Sequence, residues 1–178
     1  VDHTRDVIQT ANAIVAAAVN METGIRGYLL TWKDAFLEPY TNGKEAFDQL
    51  IVGLRKTVDD NPQQVALLGE AKTTIDAWQT KVIAPQLALR KQIAESKTMD
   101  DIRDLTAKAE GKVYFDKFRK QIDTFISREQ ELMKTRQQDA ADSSTSSMYM
   151  IIGGIVVAIL VAIVISLICL MRILTALR

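Results

Sequence analysis

Cysteine and histidine are almost absent from this chain of 178 residues, which contains one of each. Cys169 lies inside a long apolar run, so no disulfide can form within residues 1–142. Zinc and haem sites lack their usual ligands, because His3 is the only histidine and lies at the start of the chain. The sequence therefore predicts neither a metal site nor a cofactor.

An excess of charge of either sign is missing too, since 22 basic residues balance 22 acidic ones. A nucleic-acid binder needs a basic surface, so nucleic acid is not an expected partner. Catalytic motifs are also lacking: the sequence has no Ser-His-Asp set, no phosphate-binding loop and no paired carboxylates that can be placed in a cleft. We predict that this fragment is not an enzyme.

Charge is distributed very unevenly along the chain. All acidic residues and 20 of the basic residues precede Ser143, and only Arg172 and Arg178 follow the uncharged run. Residues 148–171 are 24 consecutive apolar or small residues. As a helix they would extend about 36 Å, enough to cross a hydrocarbon core of about 30 Å. We predict a transmembrane helix over 148–171, preceded by a junction over 143–147.

The charges that flank this run indicate its orientation. Arg172 and Arg178 follow it without acidic neighbours, whereas Asp139 and Asp142 precede it. Positive charge tends to remain in the cytoplasm. We therefore expect residues 1–142 outside the cytoplasm and residues 172–178 at the start of a cytoplasmic segment.

Small residues recur every four positions along the predicted span, at Gly154, Ala158, Ala162 and Ser166. Such spacing lets two membrane helices approach closely, which would serve a homodimer. The alternative is that glycine and alanine are simply frequent in membrane helices.

Apolar residues before the span alternate at intervals of three and four, which predicts four helical segments. The first stripe runs from Val7 to Trp32 without an N-cap before it, so we expect the chain to begin in mid-helix. Pro39 suits the first turn of the second segment. Asn61 is a suitable N-cap for the third segment, with Pro62 as its first residue.

Two further signals concern the second half of this region. Pro85 lies inside the apolar pattern of the third segment, so a kink or break is expected near Val82. Thr98, with Asp101 three residues later, resembles a capping box and marks the start of a fourth segment, which we expect to continue through Phe115.

Strand signals are nearly absent, and short turns between the helices imply antiparallel neighbours. The predicted fold is all-α: an up-down antiparallel four-helix bundle over residues 1–142, continuous with the C-terminal transmembrane helix. In that topology the first and last helices have their outer ends on the same side. We therefore expect a first transmembrane helix before Val1.

Several motifs resemble one known family when taken together. They are Glu22-Thr23-Gly24-Ile25-Arg26-Gly27-Tyr28-Leu29-Leu30-Thr31, Phe36-Leu37-Glu38-Pro39-Tyr40, Asn61-Pro62-Gln63, Trp78, Pro85, Arg90, Gly111-Lys112, Asp116, Arg119, Phe125, Glu129 and Arg136. In order and spacing they resemble the CHASE sensory domains of the third type, over nearly all of residues 1–142.

The resemblance implies a four-helix extracytoplasmic sensor between two transmembrane helices in a bacterial inner membrane. It also implies a homodimer joined to a cytoplasmic output domain, such as a histidine kinase, a nucleotide cyclase or a chemotaxis transducer. The lipid bilayer is then a partner, and the ligand is unknown.

Two interpretations of the first signature remain open. Glu22 and Arg26 are neighbours on one helical face and could form an ion pair. With Gly24 and Gly27, which would admit a neighbouring helix, they could form a packing device. Alternatively, Arg26 could bind an anion in a pocket, with Tyr28 or Trp32 as its apolar wall.

Two positions in the apolar stripes, here called the seam because these stripes are expected to face the bundle interior, raise further questions. Trp78 is expected in the core, although it could also serve as a ligand platform. Glu129 also lies on the seam, and a buried, unpaired carboxylate is costly. Arg119, Lys112 or a residue of another helix would therefore face it, unless the seam opens to water there.

The leading functional hypothesis is a sensor that relays a stimulus through displacement of its fourth helix. The alternative is a non-sensing helical stalk or protein-interaction module anchored in the membrane. Loss of function on Arg26→Ala with unchanged folding would favour the sensor.

Overall fold

The structure is a computed structural model that describes residues 2–93 and 97–176. Apart from an isolated bridge between Ile93 and Lys97, these residues contain no β-structure, which confirms the all-α prediction. The α-helices are α1 (Asp2–Thr31), α2 (Leu37–Thr57), α3 (Pro62–Trp78), α4 (Ala84–Lys91), α5 (Met99–Ala107) and α6 (Glu110–Ala176). A 3-10 turn (Asp34–Phe36) precedes α2, and a π-turn (Gln79–Ile83) joins α3 to α4.

The chain divides into two compact units, Val1–Glu131 and Leu132–Arg178. The first unit is the helical bundle. Its core consists of apolar side chains from α1, α2, α3, α5, α6 and the π-turn, with Val58 just after α2. Phe47 and Phe118 have ring centroids 5.9 Å apart in the middle of this core, and Phe115 and Phe125 are fully buried beside them. The predicted helical bundle is thus confirmed.

The second unit contains the residues predicted to form the transmembrane helix. The junction over 143–147 is helical and belongs to α6. The side chains at 142–147, 156, 160–162 and 164–178 lie outside the part of the chain that the structure describes. No helix within the described residues meets the length and hydropathy of a membrane span. Gly154 has no atom near its Cβ position and Ala158 is exposed, whereas the side chains of Ala162 and Ser166 are not described. The span over 148–171 stays a prediction.

The predicted start of α3 is confirmed in detail. Asn61 is the N-cap, and its Oδ1 accepts a hydrogen bond from the backbone N–H of Gln64 at 3.3 Å. Pro62 is the first helical residue, where its missing N–H costs nothing. Pro39 lies in the first turn of α2, as expected from the same rule.

The break predicted near Val82 takes the form of the π-turn. A proline inside an α-helix removes one hydrogen bond and its ring clashes with the carbonyl four residues earlier, which for Pro85 is that of Lys81. The helix avoids this clash by widening locally, and the N–H of Ala84 donates to the carbonyl of Gln79, five residues back. One extra residue is accommodated without ending the helical rod.

The fourth segment differs from its prediction. The capping box is present, because the backbone N–H of Thr98 donates to the carboxylate of Asp101 at 2.7 Å. The helix that it starts, however, ends at Ala107, and α6 is a separate helix. Ala109 has a left-handed φ of 55°, and this conformation ends α5 before α6 begins. The expectation of one continuous helix from Thr98 through Phe115 was therefore wrong.

Candidate ligand cavity

A cavity of about 400 Å³ lies within the bundle unit. Its lining comes from α1, the end of α3, the π-turn, α4, α5 and the beginning of α6. A cavity of this size falls in the range of small-molecule sites, which is about 300 to 1,000 Å³. More open grooves of the described residues have similar or larger volumes, so the apolar inner wall and charged rim of this cavity, and not its volume, make it the candidate functional site.

The inner wall of the cavity is apolar. Ile25 and Leu29 contribute from α1, Trp78 from α3 and Phe115 from α6. The Trp78 and Phe115 rings meet edge to face, with centroids 5.0 Å apart and an interplanar angle of 82°. Trp78 is only 2% exposed, so it belongs to the core, as expected, and also forms part of the cavity wall.

The π-turn shapes one side of the cavity. It contributes Lys81, Val82 and Ile83, and the two apolar residues are both buried. Consecutive residues of a regular α-helix point about 100° apart, so widening of the turn helps both to face inward. Gln86 follows in α4 and donates from Nε2 to Thr106 Oγ1 of α5 at 3.4 Å, which ties these short helices together.

Glu22 and Arg26 both lie on the cavity rim. Their side chains approach to 3.9 Å, between Arg26 Nη1 and Glu22 Oε1. The Arg26 side chain is 75% exposed, so this pair contributes little to folding stability. Both residues are thus available to solutes, and the structure leaves either predicted role open.

Gly24 and Gly27 lie on α1 where the chain returns through the 3-10 turn into α2. A Cβ on Gly24 would lie 2.6 Å from Tyr40 N and 2.8 Å from Phe36 O. A Cβ on Gly27 would collide with the Phe36 ring. The two halves of the first signature therefore contact each other, and only glycine permits so close an approach.

Tyr28 and Trp32 do not line this cavity, and the alternative in which one of them forms an apolar wall beside Arg26 stays a prediction. The chain turns at Trp32, whose φ of 57° ends α1, and its N–H donates to the Tyr28 carbonyl at 2.8 Å. The Trp32 ring lies 5.2 Å from that of Tyr28, and the Arg90 guanidinium stacks 4.7 Å from the Trp32 centroid. These aromatic residues hold α1 against α4.

Arg119 lines the cavity but does not face Glu129. It lies 3.9 Å from Asp116 and 5.5 Å from the Phe115 centroid, and Lys112 also pairs with Asp116. Glu129 is buried and meets residues of two other helices, as one of the sequence alternatives proposed.

The partners of Glu129 are polar and uncharged. The Thr4 hydroxyl donates to Glu129 Oε1 at 3.0 Å, and Gln64 Nε2 donates to Glu129 Oε2 at 3.2 Å. Thr4 belongs to α1, Gln64 to α3 and Glu129 to α6. They form a polar triad (Thr4, Gln64 and Glu129) that joins three helices inside the core.

Sequence reasoning did not identify Lys81, Gln86 or Ala109 as cavity residues. The break near Val82 was the only available signal, because it marks where a helix departs from regular packing. Among the described residues, no group of three or more potential ligands could hold a metal ion.

The fold defines a class, that of all-α helical bundles. It resembles the crystal structure of the Rhodopseudomonas palustris histidine kinase HK9 sensor domain, with a TM-score of 0.63 and 22% sequence identity. The alignment covers 74% of this chain and 98% of that one. No curated protein matches the chain significantly.

The CHASE3 domain family matches residues 1–139, and the chain belongs to this family. The resemblance identified from the sequence motifs is thereby confirmed. The CHASE3 domain is a sensing module, and the chain accordingly contains the sensor part of a signalling receptor.

Proposed function

We propose that this chain is the extracytoplasmic sensor of a bacterial transmembrane receptor, and that a stimulus acting at the cavity is relayed by displacement of α6. Anchoring through residues 148–171 in the inner membrane and association as a homodimer belong to this proposal. So does a cytoplasmic output domain, a histidine kinase being the first choice because the structural neighbour is a histidine kinase sensor domain. CHASE3 membership supports the sensing role.

The observation that carries the relay is the pair of helices that line the cavity. Ile25 of α1 and Phe115 of α6 both form its wall. Further along the same two helices, Thr4 and Glu129 meet through a hydrogen bond at 3.0 Å. A ligand that separates α1 from α6 at the cavity would therefore alter the packing around the polar triad, because packed helices move as stiff units.

A chemical test of the relay needs no knowledge of the ligand. Gly111 lines the cavity, and a Cβ there would lie 3.6 Å from Trp78 Nε1, so Gly111→Leu would fill the space. Thr4 is 3% exposed, and a Thr4→Cys thiol would be reached by alkylating reagents only when the helices separate. Cys169→Ser removes the only native thiol.

We expect Gly111→Leu to change the alkylation rate of Thr4→Cys by about fivefold or more, which corresponds to a shift of about 1 kcal/mol in a two-state packing equilibrium. Gly53→Leu is the matched control, because Gly53 has no atom within 4 Å of its Cβ position and lies outside the cavity. Equal rates in the two variants would contradict the relay and favour the non-sensing stalk.

A further inference from the structure

The charges around the cavity are unequal in sign. Four cationic side chains and two acidic ones line it, so the rim carries a positive excess. The acids are Glu22 and Glu110, and the cations are Arg26, Lys81, Lys112 and Arg119. A rim of this kind raises the local concentration of anionic solutes.

Most of these cations already have carboxylate neighbours. Arg26 lies beside Glu22, while Lys112 and Arg119 share Asp116. Lys81 has no ion pair with any residue that the structure describes. Its position in the π-turn places it at the cavity edge, so it is the cation most available to an anionic ligand.

A hydrogen-bond donor in the cavity wall adds a second requirement. Trp78 as a whole is 2% exposed and lines the cavity, and its indole N–H donates to no acceptor among the described residues. Trp78 Nε1 lies beside Gly111, where even an added Cβ would come only to ordinary contact distance of 3.6 Å. Nε1 is not one of the fully buried unpaired atoms of the described residues, so it faces the open cavity, where an acceptor on a bound ligand would take the place of water.

The apolar wall sets the third requirement. Ile25, Leu29 and Phe115 offer no polar atom to a ligand, and burial of apolar surface against them is favourable. An inorganic anion would leave this surface uncovered, whereas a neutral apolar molecule would leave Lys81 and the Trp78 N–H without partners.

We propose that the cavity binds a small organic carboxylate, with its carboxylate near Lys81 and its apolar body against Ile25, Leu29 and Phe115. This inference rests on the proposed sensing function and specifies the class of ligand that the sensor takes. A carboxylate supplies both the negative charge and the hydrogen-bond acceptor that this site lacks.

The test uses the full chain in lipid nanodiscs and five probes: benzoate, hexanoate, their neutral amides benzamide and hexanamide, and inorganic phosphate. We expect benzoate or hexanoate to raise Tm in a concentration-dependent manner, because a ligand that binds only the folded state stabilises it. The amides keep the shape without the charge and phosphate keeps the charge without the apolar body, so neither should raise Tm.

Two lysine variants locate the binding site. Lys81→Gln should weaken binding of the active carboxylate about tenfold, as expected for loss of one charge-assisted hydrogen bond. Lys81 also borders a more open groove that includes Lys117, which does not line the cavity. Lys117→Gln is therefore the matched control and should leave the affinity unchanged.

Three outcomes would overturn the proposal: no Tm increase with either carboxylate, equal increases with the amides or phosphate, or equal weakening by Lys117→Gln and Lys81→Gln. The thiol-alkylation test of the relay uses no ligand. Failure of the carboxylate proposal can thus be distinguished from failure of the sensor mechanism.

Discussion

Single residues decide how closely α1 and α2 approach each other. Gly24 lies against the backbone of Phe36 and Tyr40, which cannot move aside as a flexible side chain could. The motif beginning at Glu22 and the motif ending at Tyr40 are therefore one structural unit, although the sequence separates them. This explains why glycine, which is unfavourable inside a helix, occupies that position.

Substitution of this glycine should destabilise the bundle. We expect Gly24→Ala to lower the free energy of unfolding by about 1 to 3 kcal/mol, because its Cβ would overlap backbone atoms. Gly53→Ala, on the open face of α2, should instead raise it by about 0.5 to 1 kcal/mol through improved helix propensity. Denaturant titration of both variants measures the difference, and equal effects would contradict the close approach.

Two non-glycine residues adopt left-handed backbone conformations, Trp32 and Ala109, among the residues that the structure describes. A helix more often places glycine where the chain reverses in this way. At Trp32 the aromatic ring is held by Tyr28 and by Arg90, so its packing supports the turn. Ala109 ends α5 beside the cavity, where the same chain reversal begins α6.

At the scale of elements, an ion network links α2 to α3. Lys72 of α3 bridges Asp48 of α2, at 3.2 Å, and Asp76 of its own helix, at 2.9 Å. Burial alone would raise the pKa of Asp48, but hydrogen bonds from Lys44 and Lys72 outweigh it and lower that pKa below 3.8. The ionised form of Asp48 is thus preferred in the folded state.

This lowered pKa has a defined consequence for acid stability. A carboxyl group whose folded pKa is depressed stabilises the fold above its unfolded pKa, and loses this effect as the pH falls through the folded value. We expect Asp48→Asn to lose less stability than the wild type on acidification below about pH 4. Urea titrations at several pH values measure the difference.

Asp123→Asn is the control for that experiment, because Asp123 is exposed on α6 and has no ion pair within the described residues. Its stability should follow the acid dependence of the wild type. An identical acid dependence for Asp48→Asn would show that the network does not contribute.

For the molecule as a whole, the polar triad links α1, α3 and α6 inside the core. Glu129 is 3% exposed and its partners within the described residues are the neutral side chains of Thr4 and Gln64. The Gln64 amide also donates to the Phe125 carbonyl at 3.3 Å. The hydrogen bonds of this network join three helices, while the buried Gln64 Oε1 has no hydrogen-bond partner among the described residues.

A double-mutant cycle tests this interdependence. Glu129→Leu alone leaves the Gln64 amide and the Thr4 hydroxyl without this acceptor, and should cost about 1 to 3 kcal/mol of unfolding free energy. Gln64→Leu combined with Glu129→Leu removes the mismatch between those two residues and should cost less than the sum of the single changes. Additive losses in thermal or denaturant unfolding would show that the two residues act independently.

Much of the bundle follows from the sequence alone. The periodicity of apolar residues, the Asn61 cap, the Thr98 capping box and the effect of Pro85 depend on residues within a few positions of one another, and the structure agrees with each. Family membership can also be recognised from the sequence, because the order and spacing of the motifs can be compared without knowledge of their contacts.

Tertiary structure alone decided which distant residues meet. The sequence could not show that Glu129 pairs with Thr4 and Gln64, that α5 ends before α6, or that Lys81 rather than Tyr28 borders the cavity. Local propensity specifies where a helix starts and which face is apolar, but not its rotation against three neighbours. That rotation minimises voids and unpaired polar groups over the whole core, so it is a property of the assembled bundle.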